Sequence, residues 1–163
     1  MEKTLEEIDL KRGIVCLLDT TDPEFAVDLA EASELTFYIQ TRDREVTRAI
    51  QEKAAGAGFL GNRIFVATGD PARIHLADNV ADAVWFERKD PHYEGKEIAR
   101  ILRPLGKHHF RSAVLAEPFV KPVPEGIDEW THPYHGPDNN PNSTDRYVKG
   151  NFRTQFIADP KFS

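Results

Sequence analysis

A chain of 163 residues, 40% hydrophobic and 29% charged, has the length and composition of one compact soluble domain with some tens of residues to spare. Its formal net charge of −6 comes without any run of Lys and Arg, which speaks against nucleic acid, and no apolar stretch approaches the roughly 20 residues of a membrane helix. The single cysteine, Cys16, leaves no internal disulfide and reads as a small buried hydrophobe within its apolar run.

The opening residues Met1-Glu2-Lys3-Thr4-Leu5-Glu6-Glu7 are acidic and lack the basic-then-apolar order of a signal peptide, which places the chain in the cytoplasm at face value. Residues 13–18 form a continuous apolar run of branched side chains, the pattern of a strand buried on both faces of a parallel sheet. The run ends at Asp19-Thr20-Thr21-Asp22-Pro23. There Asp22 as N-cap and Pro23 as first helical residue open a helix to about Ser33, with Phe25, Leu29 and Ala32 on one face. A second strand follows over 35–40. Asp43 starts a second helix, with Val46, Ala49, Ile50 and Ala54 on one face, and Gly56-Ala57-Gly58 closes it.

Residues 63–67 predict a third strand, and Asp70-Pro71 repeats the cap-plus-proline start over a short turn of helix. Residues 80–86 predict a fourth strand. A helix over 95–102 carries Ile98, Ile101 and Leu102, is stopped by Pro104 and Gly106, and leads to a fifth strand over 110–115. Strand and helix in this rhythm predict a Rossmann-like α/β domain, doubly wound around a mostly parallel sheet.

From Pro118 onward proline and asparagine become frequent and apolar periodicity ends, so we divide the chain into a domain over 1–117 and an extended irregular C-terminal arm over 118–163. Trp130, Tyr134, Tyr147, Phe152 and Phe156 argue for an ordered arm that docks on something else, since disordered segments are poor in aromatics. His132 and His135, with His108-His109, Asp128 and Asp138, lack helical spacing and cysteine partners, so no metal site is expected and hydrogen bonding within the arm is the reading. Asp128-Glu129 beside His132 reads as solvated carboxylate, and Asn142-Ser143-Thr144 matches a glycosylation sequon too short to carry weight. Ser33 and Ser112 lack a neighbouring base.

From about Leu10 to Leu115 the order of elements resembles class I S-adenosylmethionine-dependent methyltransferases. The resemblance is carried by Gly13-Ile14-Val15-Cys16-Leu17-Leu18-Asp19, by Gly69-Asp70-Pro71-Ala72, by the run from Leu76 into Val84, and by Glu97-Ile98-Ala99-Arg100-Ile101-Leu102-Arg103-Pro104-Leu105-Gly106-Lys107. The tail, in Glu125-Gly126-Ile127-Asp128-Glu129-Trp130-Thr131-His132 and Gly136-Pro137-Asp138-Asn139-Asn140, is similar to a segment of large bacterial proteins in which such a domain precedes a quinoprotein-type (PQQ-like) β-propeller. Arg153-Thr154-Gln155-Phe156-Ile157-Ala158-Asp159-Pro160 is similar to the propeller entry.

The resemblance implies S-adenosylmethionine as cofactor, and Asp19, Thr20, Gln40 and Asp70 as the residues around it. The family's turn after the first strand is rich in glycine, so that backbone can approach the ligand; here it is Asp19-Thr20-Thr21-Asp22-Pro23, without glycine. The family's acid at the end of the second strand is replaced by Gln40, with Asp43 better explained as a cap. Asp70 matches the adenine-side position and equally serves as a cap ahead of Pro71. No catalytic residue is identified. The expectation is a methyltransferase-like domain, catalytically degenerate, serving as a structural or docking module through the 118–163 arm toward a propeller or partner protein. In an exported parent it would be periplasmic. The alternatives are a working methyltransferase of unknown acceptor, and a small-molecule or nucleotide binder using the crevice at the strand ends.

Overall fold

The computed structural model describes residues 2–86, 93, 95–110, 119–129, 131–133, 135–138, 140 and 142–147. The chain divides into two compact units, Met1–Pro122 and Val123–Ser163. In the first, the order is α1 (Glu2–Ile8), β1 (Ile14–Leu18), α2 (Pro23–Glu31), β2 (Thr36–Thr41), α3 (Arg44–Gly56), β3 (Ile64–Thr68), β4 (Ala81–Phe86), α4 (Gly95–Ile101), β5 (Leu102–Phe110) and β6 (Phe119–Val120).

The six strands form one sheet in the order β3-β2-β1-β4-β5-β6. Neighbours from β3 to β5 pair in parallel and β6 pairs antiparallel to β5. This is the expected Rossmann-like, mostly parallel α/β architecture. β1 lies at its centre, so Val15, Cys16, Leu17 and Leu18 have no exposed surface. Each such aliphatic side chain stabilises the fold by about 1.5–3 kcal/mol relative to exposure.

Side chains alternate between two apolar layers. Val15, Leu17, Phe37, Ile39, Ile64 and Trp85 meet Ile8 of α1, Val27 and Leu29 of α2, and Ile50 and Ala54 of α3 on one face. Cys16, Leu18, Tyr38, Val84 and Phe86 meet Ile98 and Ile101 of α4, with Ile74 and Tyr93, on the other. The first face is thus covered by helices, and the second by one helix and the segment that carries the chain from β3 to β4.

The aspartate caps of α2 and α3 form as the sequence predicts. Asp22 accepts from the Glu24 amide at 3.0 Å, with Pro23 first in the helix, and Asp43 accepts from Glu45 at 2.7 Å and Val46 at 3.4 Å. Gly58, at φ +76°, takes the left-handed conformation that ends α3.

Three expectations are corrected. Residues 2–8 form a helix the sequence reading did not assign; its Ile8 is buried against the core. No helix follows Asp70-Pro71: a single turn, with the Arg73 amide donating to the Asp70 carbonyl at 3.0 Å, runs into irregular chain up to β4. The fifth strand starts at Leu102, immediately after α4, rather than at 110. Pro104 and Gly106 fall inside a register shift where Ala81 opposes Leu102 but Ala83 opposes Lys107, and Leu105 bulges outward with φ +66°. Residues 111–115 lie outside the described residues.

In the second unit the Arg146 amide donates to the Gly126 carbonyl at 2.9 Å, and the Asp128 carboxylate accepts from the Ser143 hydroxyl at 2.8 Å and the Thr144 amide at 2.7 Å. Two strands of irregular chain are clasped together by one acid. Trp130, Tyr134, Phe152, Phe156 and the stretch 153–160 lie outside the described residues. Among the described residues, no helix is long and apolar enough to cross a membrane.

Candidate functional site

Parallel sheets wound on both faces bind ligands at the carboxyl ends of their strands, where the chain turns away from the sheet. Here that rim is built from the turn after β1, the end of β2, the turn after β3 and Tyr93 beyond β4.

The turn after β1 is tightly committed to its own chain. Asp19 sits at φ +52°, a conformation that suits glycine far better, and its amide donates to the Gln40 carbonyl at 3.0 Å. Its carboxylate lies 3.5 Å from the Arg42 guanidinium. Burial, together with the Asp19 carboxylate, pushes the Tyr93 phenol well above its ordinary range. Thr20 is fully buried, and its Oγ1 has no hydrogen-bond partner among the described residues. Pro23 has no amide to offer, and the Glu24 amide is held by Asp22.

Gln40, at the end of β2, is fully buried. Its Oε1 accepts from the Tyr38 hydroxyl at 3.1 Å and the His75 amide at 2.9 Å. Its Nε2 donates to the carbonyls of Asp70 at 3.1 Å and Arg73 at 3.0 Å. A carboxamide has two acceptor sites and two N–H donors, so all four positions are filled. The same residues fix which way the amide faces, because a backbone N–H can only donate and a carbonyl only accept. The Tyr38 phenol is a neutral donor to Gln40 at physiological pH, and burial pushes it further up, to about 12.

Asp70 is exposed, and its carboxylate accepts from the Ala72 amide at 2.8 Å, the cap-like contact that the sequence allows. Beside it a cleft of about 530 Å³ is lined by Arg42, Thr68, Gly69, Asp70, Pro71 and Ala72. The structure therefore gathers Asp19, Thr20, Gln40 and Asp70 at the carboxyl ends of β1, β2 and β3. Only Asp70 lines the cleft. Arg42 and Tyr93 were missed by sequence reasoning, as both lie in connections with no periodic signal. The polar Gln40 inside the apolar run of β2 was the one available hint of a buried network.

Other groups are accounted for by packing. Burial pushes the Cys16 thiol far up, so it is inert. Among the described residues, no cluster of three His, Cys, Asp or Glu side chains is placed to hold a metal ion.

The sequence matches no family model and no curated protein. Comparison with solved structures is decisive for the architecture. A protein from Methanococcus maripaludis assigned as an S-adenosyl-L-methionine-dependent methyltransferase superposes with a TM-score of 0.58 at 23% identity, over 67% of this chain and 52% of that one. The fold is that of the S-adenosylmethionine-dependent methyltransferases. Such a methyltransferase from Aquifex aeolicus gives 0.58 at 20% identity, over 67% and 61% of the two chains. The cyclase SpnF gives 0.59 at 18% identity, over 67% and 42%. The chain spans about half the length of these methyltransferase-fold proteins. A cyclase among them is a reminder that the methyltransferase fold carries more than one activity.

Proposed function

We propose that this chain is a methyltransferase-fold domain that no longer transfers methyl groups and serves as a structural or docking module of a larger assembly. The observation that carries the reading is the turn after β1. Its one strained position is filled by Asp19, the Asp19 and Glu24 amides are already held within the chain, Pro23 has none, and Thr20 packs into the interior. A ligand carboxylate or sulfonium needs close backbone approach at this point, and no residue of the turn is a glycine. S-adenosylmethionine is the ligand that the fold brings into question, and these residues do not fit it. We assign docking to the 118–163 arm, on its resemblance to the segment ahead of a quinoprotein-type propeller.

A second reading is an active methyltransferase of unknown acceptor, with Asp19, Gln40 and Asp70 around the cofactor. The open cleft beside Asp70 favours it. Calorimetric titration with S-adenosylmethionine and S-adenosylhomocysteine separates the two. The first reading expects no heat at millimolar ligand. Micromolar binding lost in Asp70→Ala would overturn it.

A further inference from the structure

Gln40 stands about 20 residues beyond the turn after β1, at the end of the neighbouring strand, where nucleotide-binding sheets of this winding carry an acid that accepts from ribose hydroxyls. An acid cannot stand here without rearrangement. The carbonyls of Asp70 and Arg73 lie 3.1 and 3.0 Å from Nε2, and a carboxylate would meet both with no proton to offer. Only an amide satisfies two carbonyls on one side and the Tyr38 hydroxyl and His75 amide on the other.

The backbone has been shaped to the same end. A Cβ added at Gly69 would lie 2.6 Å from Gln40 Nε2 and 3.0 Å from His75 Cε1, so the segment closes onto Gln40 only because residue 69 has no side chain. Ile74, one residue before the anchored amide, is 1% exposed in the apolar layer on that face. Polar and apolar contacts within the chain thus seat residues 69–75.

We propose that the Gln40 carboxamide is a built-in substitute for a ligand: it fills the ribose end of the crevice, anchors residues 69–75 by its own hydrogen bonds, and excludes nucleosides. This inference rests on the reading that the domain does not catalyse methyl transfer, and it names how one end of the site is shut.

The test is amide hydrogen exchange at His75, read by NMR on the whole chain, with adenosine as the probe ligand. In the wild type the His75 amide exchanges slowly, and millimolar adenosine changes neither its rate nor its shift. Gln40→Met keeps the volume and removes all four hydrogen bonds. It speeds His75 exchange by about tenfold or more while the amides of β1 keep their protection. Gln40→Glu, which keeps the acceptors and loses both donors, carries the test should the first variant fail to fold, with faster His75 exchange expected at neutral pH. A fast His75 amide in the wild type, slow exchange in either folded variant, or adenosine binding at His75 in the wild type overturns the inference. Methyl transfer by the wild type would end the functional reading and leave the His75 measurement standing. An unprotected His75 would end this inference and leave that reading standing.

Discussion

His135 Nε2 lies 2.8 Å from Asp128 Oδ2, the same oxygen that accepts from Ser143 and Thr144. The hydrogen bond from His135, then those from the Thr144 amide and Ser143 hydroxyl, hold the Asp128 carboxyl well below its ordinary value of 3.8. A carboxyl depressed in the folded state contributes stability that is present above the unfolded value and lost as pH falls through the folded one. The clasp should therefore survive mild acid. The Thr144 amide chemical shift, followed by NMR, is expected to titrate with a midpoint clearly below 3.8; a midpoint at 3.8 or above would contradict the geometry.

The two histidines of β5 act in a different window. Burial is the main cause that lowers the pKa of both His108 and His109; the nearness of the two imidazoles adds to it for His108, and the Lys107 ammonium adds to it for His109 against the opposing Glu7 and Asp9 carboxylates. Because the folded values lie below the ordinary 6.5, the unfolded chain takes up protons first. Stability from this source is complete above 6.5 and falls as pH drops below it. The urea midpoint should be lower at pH 5.5 than at pH 7.5, and the difference should shrink in His109→Gln. An equal midpoint at both pH values would show that neither imidazole is held neutral by the fold.

Removing the cap of α3 should cost about 1 kcal/mol, because Asp43→Ala leaves the Glu45 and Val46 amides without their acceptor. Urea unfolding with an unchanged m-value measures this directly.

Gly69→Ala should destabilise by about 1–3 kcal/mol, since the new methyl group overlaps the buried Gln40 amide. Gly56→Ala serves as the control: nothing lies within 4 Å of a Cβ there, and the residue is already helical. Gly56→Ala should be neutral or stabilising in the same denaturation assay. Equal effects at the two positions would mean that the Gly69–Gln40 packing is loose.

The helices α2 and α3 and the strands β1 to β4 could be read from the sequence because their signals are local: an aspartate cap, a proline or glycine, and an apolar run of the right length. The start of β5 could not, since Pro104 and Gly106 look like a helix stop and in fact mark a bulge set by pairing with Ala81 and Ala83. At the site, the positions of Asp19, Thr20, Gln40 and Asp70 were legible as a set at the strand ends. The commitment of Gln40 was not, because its partners Asp70, Arg73 and His75 lie 30 to 35 residues away along the chain. A glutamine in an apolar strand announces a network without naming its members.

The irregular crossover from β3 to β4 has a further consequence. A helix satisfies its own backbone, whereas loose chain laid across a sheet must find outside partners for every buried amide and carbonyl. Here the Asn79 and Val80 amides go to the Arg100 and Ile101 carbonyls, and three side chains serve the middle of the segment. Gln40 takes the Asp70 and Arg73 carbonyls and the His75 amide, Glu97 takes the Ile74 amide, and Arg100 takes the Ile74 and Leu76 carbonyls. Glu97 and Arg100 also pair with each other, which lowers the carboxyl of the one and raises the guanidinium of the other. With no helix in this crossover, Gln40, Glu97 and Arg100 are committed to the domain's own main chain, and a visiting molecule would have to compete with that main chain for them.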